Sequence, residues 1–107
     1  MGWFRRGPKK SGSMADEALR RLDGRLLKYA VRRELDENGS PIEVVLGKDG
    51  RLMVLEDRVI VMADGKEVFS APLDTVKSGE LMSLDGIVLS GQDSVTGGFA
   101  TVVGFYV

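Results

Sequence analysis

The chain has 107 residues, 43% of them hydrophobic and 29% charged, a composition that fits one small globular domain with a single core. It holds neither Cys nor His, which excludes disulfides, zinc fingers and imidazole-based catalytic dyads and makes a reducing cytoplasm the expected compartment. The net charge of −1 conceals a polarity: residues 1–33 carry ten of the fifteen Lys and Arg against three acids, a net +7, while residues 34–107 carry five cations against thirteen acids, a net −8. Such asymmetry points the basic part toward an anionic partner, or toward the acidic part of its own fold.

Residues 1–13, MGWFRRGPKKSGS, scatter Gly, Ser and Pro among cations without periodicity and read as a mobile basic tail. They resemble the start of a signal peptide, but no apolar stretch and cleavage site follow, and no run is long enough to span a membrane. Over residues 14–24 apolar side chains recur at helical spacing, with Arg20 and Arg21 on the other side, and Ser13, Asp16 and Glu17 suit a helix N-terminus. This predicts a short basic amphipathic helix. The pattern can be continued as a helix through Arg25, Lys28 and Arg32, but Leu27, Tyr29, Val31, Arg33 and Leu35 also alternate as a strand would. Gly24 favours ending the helix and starting a strand over 26–35.

Residues 25–107 form a succession of short β-rich runs cut by turn residues: LLKYAVRREL, IEVVLG, RLMVL, RVIVM, EVFSAPL, GIVLSG and FATVVGFYV, with DTVKSGELMS as a less regular passage. Seven strands without long helices between them argue for antiparallel pairing. The expected fold is mainly β, a partly closed barrel or sandwich with a short N-terminal helix. RVIVM is apolar on both parities and is expected near the centre of the sheet. The terminal hydrophobic strand must be paired or covered. Leu52, Val54, Val59, Val61, Phe69, Leu73, Ile87, Leu89, Val103 and Phe105 are the expected inward residues.

The residues Gly50, Leu52, Arg58, Val59, Ile60, Pro72, Leu73, Val76 and the run Gly86 to Leu89 carry a resemblance to the GRAM and bacterial pleckstrin-homology-like families, over roughly residues 50–90. The resemblance implies a binding or assembly module. In those families a C-terminal helix usually plugs one barrel end, whereas this sequence stops in a strand, so either the N-terminal helix takes that place or another chain closes the end. The first strand-to-strand loop, DENGSP, is acidic, which argues against the phosphoinositide pocket of the usual kind.

Catalytic patterns are weak. Glu56 and Asp57 fall in a tight turn where solvation keeps carboxylates ordinary; Ser90, Ser94 and Thr96 lie near Asp93 without a base to activate them. Asp36, Asn38 and Ser40 alternate like calcium ligands, but Pro41 and Gly47 stand where the loop's Gly and closing Glu belong. Gly97 and Gly98 lack the Lys-Ser or Lys-Thr of a phosphate loop. No enzyme activity, metal or cofactor is expected. Trp3 and Phe4 beside Arg5, Arg6, Lys9 and Lys10 are what an interfacial anchor uses, and Arg20, Arg21 and Arg25 extend the basic segment. The expected partner is a protein or an anionic lipid surface, placing the chain in the cytoplasm or peripherally at the inner face of the membrane. The alternatives are a subunit of a homomeric assembly and a nucleic-acid-binding small barrel, the latter disfavoured by 7% aromatic residues and an acidic barrel.

Overall fold

In the computed structural model, which describes residues 16–107, one short helix precedes seven strands. The helix α1 is the single turn Asp16–Arg20, and residues 21–24 form a turn instead of prolonging it to Gly24. The next residues are already claimed by the sheet: Val54 N donates to Asp23 Oδ1 at 2.9 Å and Gly24 N donates to the Leu52 carbonyl at 2.7 Å. α1 nevertheless contributes to the core, since Leu19 is only 2% exposed and Leu22 packs partly buried beside it.

The strands are β1 (Leu26–Leu35), β2 (Pro41–Val54), β3 (Arg58–Ala63), β4 (Lys66–Pro72), β5 (Lys77–Glu80), β6 (Gly86–Gln92) and β7 (Phe99–Tyr106). Every pair is antiparallel, in the order β4-β3-β2-β1-β7-β6-β5, and the sheet curls into a half-barrel. The mainly β, seven-stranded expectation therefore holds, and the terminal strand is paired on both sides, by β1 and β6.

Two local expectations fail and cancel in the count. IEVVLG and RLMVL are one 14-residue strand, because GKDG does not turn the chain. It bends it: Asp49 has φ 48°, and a Cβ on Gly50 would sit 2.1 Å from the Met62 carbonyl oxygen, so the glycine lets β3 lie close against β2. The strand thus gained is KSGE, hidden in the passage that looks irregular because Gly79 and three polar residues give it no alternation.

RVIVM is corrected in position. Its residues Val59, Ile60, Val61 and Ala63 are buried on both parities, yet β3 lies next to the edge strand β4, while β1 is central. Val59, Val61 and Ala63 belong to the core cluster, and Ile60 alone is buried on the other parity. Nine of the ten expected core residues are buried, and Phe105 is only half-buried. The parity of β7 is the reverse of that expected: Ala100, Val102 and Tyr106 belong to the core, and Val103 and Phe105 face outward beside Val31 and Tyr29 of β1. Gly104 takes an inward position because Leu27 fills the space, its Cδ1 lying 3.0 Å from where a Cβ would stand.

Asp93, in the turn between β6 and β7, closes the curl. The fully buried carboxylate accepts hydrogen bonds from Ser70 N on edge strand β4 (3.1 Å), from Val95 N (2.9 Å) and from Thr96 Oγ1 (3.3 Å), and Ser94 N donates to the Ser70 carbonyl at 2.8 Å. Arg58 donates to Ser70 Oγ from the neighbouring strand.

Candidate functional site

Trp3, Phe4, Arg5, Arg6, Lys9 and Lys10 lie outside the described residues. The three remaining basic candidates fall where α1 runs into β1, and their surroundings separate them. Arg20 donates through Nη1 to the Leu55 carbonyl at 2.9 Å and through Nη2 to the Glu56 carbonyl at 2.8 Å, which ties α1 to the turn between β2 and β3. Arg21 is exposed and meets Glu17 at 3.5 Å, one helical turn away, an ion pair worth about 0.3–0.5 kcal/mol. Arg25 lies over the Tyr106 ring, 4.0 Å from its centroid. Arg25 remains an exposed residue, so contact with the ring does not remove it from a partner's reach. Burial, reinforced by Glu80, pushes the Tyr106 phenol above its ordinary value, and Arg25 opposes that rise. Glu80 Oε2 accepts a long 3.4 Å hydrogen bond from the Tyr106 hydroxyl.

The other polar constellations are absorbed by local structure. Asp36 Oδ1 accepts from Asn38 N and Ser40 N, each at 2.9 Å, and builds the β1–β2 turn. Ser90 Oγ and Thr101 Oγ1 share a cross-strand hydrogen bond of 2.9 Å. Asp93, which stands beside Thr96 in the sequence, is the buried staple of the barrel. Among the described residues no three His, Cys, Asp or Glu side chains group as a metal site would require, and no helix is long and apolar enough to cross a membrane.

The sequence reading missed a second surface. Beyond the Arg33–Thr101 pair β1 parts from β7, so residues 34–42 form a two-stranded arm, and Glu43–Val45 beside it pair only with Arg33–Val31 of β1. Leu35 (70% exposed), Val45 (61%), Ile42 (41%) and Val44 are open to solvent, with ion pairs Arg32–Glu34 at 3.3 Å and Arg33–Glu43 at 3.6 Å between them. On the outer face at the root of the arm, Tyr29 stacks on Phe105 with centroids 4.6 Å apart. The signal for an arm was in the register: Arg32, Arg33 and Glu34 stand opposite Val44, Glu43 and Ile42, so the apolar residues of β2 meet charges there and not a core.

Compared with known proteins, the chain matches no family model, no curated protein and no solved structure.

Proposed function

We propose that this chain is a non-catalytic interaction module of pleckstrin-homology-like type that attaches in the cytoplasm to an anionic surface, of a membrane or of an acidic protein, through its basic N-terminal segment. The observation that carries the reading is the separation of charge, +7 over residues 1–33 against −8 over residues 34–107. The placement of Arg21, Arg25 and Lys28, all exposed where the chain enters the barrel, supports it by continuing the cationic stretch begun at Arg5. The meander with β1 paired to both β2 and β7, and a core that takes Leu19 from an N-terminal helix, support the pleckstrin-homology-like part. Stacking of Tyr29 on Phe105, and of Arg25 on Tyr106, leaves fewer free aromatic faces for bases and favours this reading over a nucleic-acid module.

Co-sedimentation with vesicles containing phosphatidylserine tests it. Each cation near an anionic leaflet contributes about 1 kcal/mol, so replacing Arg5, Arg6, Lys9 and Lys10 by Gln should abolish binding at physiological salt. Trp3→Ala with Phe4→Ala should weaken binding at fixed charge and leave the melting midpoint unchanged. Binding of neutral and anionic vesicles alike, or a loss confined to Arg20, Arg21 and Arg25 variants in a nucleic-acid titration, would refute the reading.

A further inference from the structure

The two formal edges of the sheet are both managed: β5 is four residues long, and β4 is hydrogen-bonded through Ser70 to the β6–β7 turn. A third edge is not. β3 pairs with β2 only over Arg51–Val54, and Asp64 N reaches the Lys48 carbonyl at 2.8 Å, so among the described residues no strand lies along the outer side of β2 from 41 to 46. This stretch, PIEVVL, is rich in β-branched residues and exposed over Pro41–Val45. Its one charge, Glu43, lies 3.6 Å from Arg33 across the β1–β2 pair. Unpaired backbone donors and acceptors along such a stretch call for another extended strand.

We propose that the partner strand is the same stretch of a second copy, joined antiparallel across a two-fold axis at Val44. Opposed residues in an antiparallel pair share a face, and a two-fold must centre on one residue of the stretch. Centring on Glu43 would set two carboxylates against each other. Centring on Val45 would carry the partner strand to Lys48 and Asp49, where the β3–β4 turn already occupies the edge, with Asp64 Oδ2 only 2.7 Å from the position of a Cβ on Gly47. Centring on Ile42 would set Val45 and Leu46 opposite the β1–β2 turn residues and leave them without strand partners. Centring on Val44 pairs Ile42 with Leu46 and Glu43 with Val45 of the other copy, opposes no like charges and reaches Gly47 only with Pro41, the residue that begins the strand. This interface uses none of the basic N-terminal residues and stands or falls apart from the proposed attachment.

Because the chain has no Cys, Val44→Cys creates a unique thiol that meets its symmetry mate on the axis. Mild oxidation should convert Val44→Cys to a covalent dimer, while Leu84→Cys, in the β5–β6 turn and more exposed (66% against 37%), stays monomeric. Sedimentation of the full chain should give twice the 11.6 kDa monomer mass. Val44→Lys should be monomeric with the wild-type far-ultraviolet circular dichroism and a melting midpoint that no longer rises with protein concentration, and mixing it with Val44→Glu should restore the dimer by pairing opposite charges on the axis. A wild-type chain that remains monomeric up to about 1 mM overturns the proposal and leaves the edge to a strand of a different protein. A dimer that survives Val44→Lys, or equal cross-linking of the two Cys variants, overturns it in favour of another interface.

Discussion

The two halves of β2 are built from similar residues and meet opposite fates. Arg51–Val54 pairs with β3 on one side and on the other meets Leu26 and the residues just before β1, Leu52 N donating to the Arg25 carbonyl and Gly24 N to the Leu52 carbonyl, and Leu52 is fully buried; Pro41–Val45 is flanked by β1 alone and its Ile, Val and Val are exposed. Local preference for the extended state is high in both, so the difference comes from what each half faces. Leu52 pairs with Val61 and looks into the core, whereas Val44 pairs with Arg32 and Ile42 with Glu34. The same contrast divides β1, where Leu27, Ala30 and Val31 are buried and Glu34 and Leu35 are open. An apolar alternation therefore licenses a strand; it does not promise a core.

The largest test of this contrast removes the strand that holds the buried half together. Ending the chain at Gly98 deletes β7, unpairing both β1 and β6 and removing Ala100, Val102 and Tyr106 from the core. No cooperative unfolding transition should remain in circular dichroism, and the protein should aggregate from its new edges. Next comes the comparison within β2 itself. Leu52→Ala should cost about 2–5 kcal/mol in denaturant unfolding. Val45→Ala, at 61% exposure, should stay within about 0.5 kcal/mol in the monomer. Equal losses at the two sites would mean that the arm is packed in solution.

Asp93→Ala addresses the closure between edges. It leaves Ser70 N buried without its carboxylate acceptor, and a cost of about 1–3 kcal/mol is expected, with faster amide exchange at Ser70 and Val95. The arm should be indifferent to it. The smallest effect concerns Tyr106. Its folded-state pKa is raised by burial and by Glu80, so the neutral phenol is favoured in the fold. That contribution is complete below the ordinary phenol pKa of about 10 and is lost as pH rises through the higher folded value. Alkaline loss of stability above about pH 10 should be shallower in Tyr106→Phe, measured as the melting midpoint against pH.

Much of the fold was legible because turn residues and β-rich runs are local signals. DENGSP, ADGK and QDSVTGG all stand between strands, and Gly24, at φ 87°, marks the change from helix to strand. Less of the candidate surface was legible. Arg20, Arg21 and Arg25 look alike in sequence, and only partners 35 and 36 residues away distinguish the one spent on the Leu55 and Glu56 carbonyls from the others. Asp93 reads as a loop residue and is a buried acceptor, because its donors come from β4 and from its own turn at once.

By itself, then, the sequence determined the strand-rich class, one core, the place of most turns and the charge polarity, all of which depend on neighbours within a few residues or on composition. Tertiary structure alone decided that GKDG bends and does not turn, that β7 turns Val102 and not Val103 inward, and that part of β2 stands free. Each of these depends on which distant residues lie alongside: the Met62 carbonyl against Gly50, the Leu27 side chain against Gly104, and, on the side of Val44 away from β1, no strand of the described residues. Strand pairing is a long-range choice, and a strand's own residues constrain it only through the face they offer.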